Sequence, residues 1–188
     1  MLAESEKRPE SEQKELAQLM GERAGNLFRT GQLLCSEALL VVINRGLGGG
    51  MPDELAIRVA STLPQGIGES GCTCGALTAG ALALGLFLGR SRPGESDKRH
   101  ARSAANLLYS SFKERFGSSC CRVLTGKVKE KSGLHAVQCA TLTGETAQLV
   151  AQLLLDRRPE LIEQVDWEYL KRTDSRVGTK LKQLFGLA

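Results

Sequence analysis

Aromatic side chains are scarce in this chain: one Trp, two Tyr and five Phe make up 4% of 188 residues. So few rings exclude a stacking platform for single-stranded nucleic acid. They leave Leu, Ala and Val to build the core. Histidine is scarcer, with only His100 and His135. Neither stands at ligand spacing from a cysteine in a recognised motif, so surface or core-packing roles are expected of both. The sequence holds no GxxxxGK[ST], no GxGxxG after a strand, no GxSxG and no HExxH, which removes the phosphate-loop, dinucleotide, serine-hydrolase and zincin readings. It has no Cys-x-x-Cys, so the thioredoxin-like motif and paired zinc knuckles go too, and without Cys-x-x-Cys-His covalent haem is not expected. No segment shows the two-residue alternation of a strand, and no repeat is visible.

No secretory leader is expected. Met1 to Glu15 is charged, with no apolar stretch behind Lys7-Arg8, and a cytoplasmic protein is expected. The one long uncharged run, Cys72 to Gly89, sits at the lower limit for crossing a bilayer. It lacks Trp or Tyr anchors and is rich in Gly, Ala and Thr, so a buried helix is expected and no membrane association. Twenty-five basic and 21 acidic residues leave a net charge of +4. That balance favours solubility and does not imply nucleic acid.

What the chain does have is cysteine: Cys35, Cys72, Cys74, Cys120, Cys121 and Cys139. In a reducing compartment, clustered cysteines point to metal, cluster or redox chemistry rather than to a disulfide scaffold. Two stand at the start of the uncharged run, in Ser70-Gly71-Cys72-Thr73-Cys74-Gly75-Ala76-Leu77-Thr78-Ala79-Gly80.

The surrounding pattern is helical throughout, and the fold class expected is all-α: a compact multi-helix bundle around a buried Gly/Ala-rich central helix. Residues 1–11 read as a disordered tail and 12–188 as one helical domain, a length that one hydrophobic core can serve. Leu16, Leu19, Met20, Ala24, Leu27 and Phe28 recur at helical spacing up to Thr30-Gly31. Cys35, Leu39 and Val42 share a face of a helix over 32–44, which points Cys35 inward. Pro52 to Ser61 reads as a short helix with Leu55, Ile57 and Val59 partly buried. Leu63 to Gly71 reads as an irregular glycine-rich loop of the kind that lets backbone amides approach a ligand.

The central helix then carries a small-residue face of Ala76, Ala79, Gly80 and Ala83, apolar all round as a core helix should be. Ser96 is a candidate cap for a helix with Ala101, Ala104, Ala105, Leu108 and Phe112 inward. Cys120-Cys121 opens a short turn capped by Ser118 or Ser119. Lys127 to Gly133 reads as a charged loop, and Cys139 stands before a helix capped by Thr143. Two C-terminal helices over 160–186 follow, the last with Val177, Leu181 and Leu184 inward.

Cys35, Cys74, Cys121 and Cys139 thus each fall near an expected helix start, where free N–H groups and the dipole favour a thiolate over the usual value of about 8.5. Such thiolates ligate iron or zinc, or attack disulfides. A free cysteine also packs as a small hydrophobe, and for any one of them that explanation is as good as a functional one. It is a poor explanation for all six together. A disulfide between the neighbours Cys120 and Cys121 would close a strained ring unsuited to a structural role.

These segments together resemble a family of small redox-active proteins named for a Cys, CGAxxG, Cys, Cys pattern, the C_GCAxxG_C_C family. Cys35-Ser36-Glu37-Ala38-Leu39-Leu40 is similar to its first cysteine segment. Ala60-Ser61 through Gly66-Ile67-Gly68 into Cys74-Gly75-Ala76-Leu77-Thr78 is similar to its glycine loop and central motif. Phe112 to Gly117 with Cys121-Arg122-Val123-Leu124-Thr125-Gly126 is similar to the third element, and Cys139 with Ala147 and Leu149 to the fourth. The resemblance spans about residues 30–156. Ala79 stands where the motif's last glycine is expected, with Gly80 one residue later. Pro64-Gln65 interrupts the glycine loop, and Cys72 and Cys120 are additional.

The resemblance implies four functional thiols, Cys35, Cys74, Cys121 and Cys139, with Cys72 and Cys120 as the less favoured members of the two close pairs. A related domain in split-Soret cytochromes is associated with an iron–sulfur cluster. The function expected is therefore an electron-transfer or redox-sensing protein with a cysteine-ligated iron–sulfur cluster, served by a redox partner that the sequence does not identify. A homodimer is compatible with it. Two other functions fit the same residues: a metal-free dithiol/disulfide oxidoreductase with Cys72 or Cys120 resolving, and a zinc-stapled helical interaction module.

Overall fold

The computed structural model describes residues 10–94, 99–128 and 131–184. Among them the chain forms nine α-helices, one 3-10 helix and no strand. The helices are α1 (Glu10–Arg29), α2 (Cys35–Gly46), α3 (Asp53–Ala60), α4 (Gly75–Leu88), α5 (His100–Phe116), α6 (Cys121–Thr125), α7 (Ser132–Arg157), α8 (Trp167–Lys171) and α9 (Arg176–Leu184), with the 3-10 helix at Pro159–Gln164 before α8. Glu10 and Ser11 belong to α1, so the expected tail reaches no further than residue 9, and 1–9 lie outside the described residues. The candidate cap Ser96 lies outside them too.

Two long helices make the frame. α1 and α7 form the most extensive helix pair, and glycines let them come together. A Cβ on Gly21 would stand 2.8 Å from the Gly144 carbonyl oxygen, and one on Gly144 2.7 Å from the Gly21 carbonyl oxygen. Any larger residue there would force the backbones apart. α2 lies against α1, α3, α4 and α7, and α4 against α2, α5 and α7. Leu39, Leu40, Val42 and Ile43 of α2 are therefore fully enclosed. Gly80 gives α4 the same intimacy with its neighbours, since a Cβ there would meet Leu108 and Val150 methyls at 2.9 Å.

The core is built from Leu, Ala and Val as the composition required, but three apolar faces are placed differently from expectation. α3 buries Ala56 and Ala60 rather than Leu55 and Val59, each 42% exposed, because the small face lets it lie close to α2, where Ser36 donates to the Ala60 carbonyl at 2.8 Å. α4 is not enclosed on every side: Leu82 and Leu86 are exposed. α9 leaves Val177 and Leu181 exposed. It is held instead from its N-terminal side, where buried Arg23 pairs with Asp174 at 2.7 Å and Asn26 donates to the Asp174 carbonyl at 3.0 Å.

The largest departure concerns α7. Thr143 does not cap it; the helix begins at Ser132 and runs through Cys139. The threonines that look like turn residues are absorbed by hydroxyl bonds to the carbonyl four residues back: Thr141 to Val137 at 3.1 Å, Thr143 to Cys139 at 2.8 Å and Thr146 to Leu142. Side-chain bonds of this type let Thr sit inside a helix. No helix among the described residues is long and apolar enough to cross a membrane.

Candidate functional site

Four elements deliver one sulfur each to a single cavity of about 160 Å³. Cys35 is the first residue of α2, Cys74 the residue capping α4, and Cys121 the first residue of α6. Cys139 comes from the third turn of α7. All four line the cavity, with Phe28, Leu34 and Leu142 as apolar wall. No Asp or Glu lines it.

Local structure explains how three of these sulfurs arrive. Glu37 accepts a hydrogen bond from the Leu34 N–H at 2.9 Å, which fixes the entry into α2 just before Cys35. The glycine-rich loop is wound in the left-handed region over five consecutive residues, with φ of 54° at Gln65, 79° at Gly66, 51° at Ile67, 57° at Gly68 and 67° at Glu69. Three of those are not glycine, and side-chain-bearing residues seldom sit there. The conformation turns the Gln65 N–H toward the Cys35 sulfur. Gly66 must be glycine for a second reason: a Cβ would run into the Cys72 nitrogen and crowd the Cys121 Cβ at 3.0 Å. Beyond the loop, the Cys74 N–H donates to the Ser119 carbonyl at 2.9 Å and the Arg122 N–H to the Gly71 carbonyl at 2.9 Å. These two bonds fasten the Cys74 segment to the Cys121 segment.

The electrostatics reverse one expectation. Three of the four sulfurs do sit at helix starts, and amides face two of them: Gln65 and Ser36 toward Cys35, Leu77 and Ala76 toward Cys74. Burial nevertheless outweighs those bonds. It raises the Cys35 and Cys121 thiols above the usual value and pushes Cys74 and Cys139 up to about 12. Repulsion adds to burial, and each pair among the four is close enough for the charge of one to raise another. As free thiols they are protonated and unreactive near neutral pH.

Cys139 was expected at a helix start and is not; it lies well inside α7, without amides of the kind that face Cys35 and Cys74. The continuous helix has a consequence for His135. At i, i+4 it shares a face with Cys139, with Nε2 3.7 Å from the sulfur, and it lines the same cavity. From the sequence, a surface or core-packing role is expected of this histidine. The spacing that would have found it was hidden by the assumed break before Thr143.

Cys72 and Cys120 do not reach the cavity. Cys72 is exposed and Cys120 partly so, and all six cysteines are free. Amides of Val123 and Arg122, with Cys72 and the Arg122 charge, lower the Cys120 thiol below its usual value, the Val123 N–H being the main cause. Among the described residues no three His, Cys, Asp or Glu side chains gather tightly enough to hold a single metal ion.

Residues 33–153 match the C_GCAxxG_C_C family, described as "Putative redox-active protein (C_GCAxxG_C_C)". No curated protein matches the chain, and no solved structure does.

Proposed function

The chain belongs to the C_GCAxxG_C_C family, and on that footing we propose that it is a redox protein carrying an iron–sulfur cluster held by Cys35, Cys74, Cys121 and Cys139. The observation that carries this reading is the cavity itself, with four sulfurs from four helices around one apolar-walled space. Four thiols, Cys74 buried and the other three partly so, that repel one another when ionised are a poor arrangement for disulfide exchange, which needs an accessible thiolate. A cationic group among them changes the balance, because coordination deprotonates a thiol outright and the metal charge offsets four desolvated sulfurs. The donor set is soft sulfur, which favours iron–sulfur or zinc over oxygen-loving cations. Zinc is the weaker fit. Its tetrahedral site draws four sulfurs to about 2.3 Å of one point, whereas these line a space and no three of them gather on a single ion.

Each part of the site has work to do in this reading. The Gln65, Ser36, Ala76 and Leu77 amides stabilise charge on the Cys35 and Cys74 sulfurs. Phe28 and Leu142 give the cavity apolar wall, and His135 stands beside Cys139. When bound, the cluster supplies one-electron transfer at a potential set by burial and by hydrogen bonds to sulfur. Anaerobic purification of the full chain followed by metal analysis tests the proposal. Iron with acid-labile sulfide is expected. Zinc in stoichiometric amount, or no metal after reconstitution with iron and sulfide, refutes it.

A further inference from the structure

The two cysteines outside the cavity meet each other. Gly71 and Cys72 share a peptide bond whose carbonyl accepts two hydrogen bonds from the opposite segment, the Arg122 N–H at 2.9 Å and the Cys120 Sγ at 3.1 Å. Arg122 reaches further along the same segment, its Nη2 donating to the Ser70 carbonyl at 2.7 Å. The Cys120 sulfur therefore lies against the backbone next to Cys72, and Cys72 is within hydrogen-bonding reach of it. Backbone bonds on both sides, Cys74 to Ser119 and Arg122 to Gly71, hold the two segments in this register. Cys74 and Cys121, the sequence neighbours of the pair, are turned into the cavity.

We propose that Cys72 and Cys120 form a second, surface thiol site that exchanges with low-molecular-weight disulfides and closes to a Cys72–Cys120 disulfide. The step is an ordinary two-stage exchange. The Cys120 sulfur, having given up its proton to water, attacks one sulfur of the incoming disulfide RSSR. A Cys120–S–S–R bond forms, the R–S bond partner leaves as RS⁻ and takes up a proton. The Cys72 sulfur, also deprotonated, then attacks Cys120 Sγ and expels the second RS⁻. Two protein thiols are oxidised and one small disulfide is reduced to two RSH. The four cavity sulfurs take no part in the exchange.

The test is anaerobic treatment of the full chain with oxidised glutathione, followed by alkylation, proteolysis and mass-spectrometric mapping, with released glutathione and iron measured in the same samples. The expected result is one Cys72–Cys120 disulfide and two glutathiones released per chain, with iron content unchanged. C72S should stop at glutathione on Cys120, and C120S should lose the disulfide. A disulfide joining Cys72 to Cys74 or Cys120 to Cys121, or a mixed disulfide that never closes in the unsubstituted chain, would overturn the proposal. Absence of iron bears only on the cluster, because the disulfide map is read independently of metal.

Discussion

The sulfur of Cys35 lies 2.9 Å from where a Cβ on Gly75 would stand, and the Leu63 carbonyl oxygen lies 2.8 Å from the same point. The first residue of α4 is thus the floor on which the first sulfur of α2 rests. Gly75→Ala must displace either a sulfur at the cavity or a loop carbonyl. Overpacking of this type costs about 1–3 kcal/mol. Urea denaturation should show that loss, together with reduced iron uptake on reconstitution. Gly85→Ala, in the same helix with nothing within 4 Å of its added Cβ, should raise stability by up to about 1 kcal/mol and leave iron uptake unchanged.

The α1–α7 contact makes a second, purely structural prediction. Gly21→Ala or Gly144→Ala places a methyl group against a backbone carbonyl that cannot move aside as a side chain can. Each should destabilise the protein by about 1–3 kcal/mol, seen as a lower urea midpoint. Gly133→Ala, which meets nothing, serves as the control within α7 and should not lower it.

The N-terminal side of α9 is tied to α1 by the Arg23–Asp174 ion pair, beside the Asn26–Asp174 and Arg176–Arg29 hydrogen bonds. Asp174→Ala leaves the Arg23 guanidinium, 5% exposed, without its carboxylate partner, and a stranded buried charge costs about 2–3 kcal/mol. Limited proteolysis should then cut after residue 172 faster than in the unsubstituted chain, since Asn26 and Arg23 are what tie that segment down.

Thiol titration in the metal-free protein should divide the cysteines. Cys120, whose thiol is lowered by the Val123 amide, should alkylate at the lowest pH. Cys74 and Cys139, pushed up to about 12, should still resist alkylation at pH 9. Stability follows with a fixed sign. Above the unfolded thiol value of about 9 the unfolded chain loses these protons first and the folded chain holds them, so unfolding is increasingly favoured as pH rises from about 9 toward 12. A urea midpoint constant across that range would contradict the shifts.

These particulars also show what was legible beforehand. Cys35, Cys74 and Cys121 could be placed at helix starts because Leu, Ala and Val periodicity resumes right after each of them. α7 was misjudged because Thr143-Gly144 has the composition of a break. In the fold, Thr143 bonds back to Cys139 and Gly144 exists to admit Gly21 of α1, a reason that lies in another helix. That single misjudgement also hid the His135–Cys139 pair. α3, α4 and α9 show the limit of periodicity: it finds an apolar face without saying whether a neighbour covers it. The approach of Cys120 to Cys72 depends on backbone bonds between segments about fifty residues apart, which no local pattern encodes.

The most direct test of the account is the iron and sulfide content of six single cysteine-to-serine variants, each reconstituted anaerobically beside the unsubstituted chain. C35S, C74S, C121S and C139S should lose most of the bound iron and its visible absorption, while C72S and C120S should keep both. Full iron retention in the four cavity variants, or loss that falls instead on C72S and C120S, would contradict a cluster held in the cavity between α2, α4, α6 and α7.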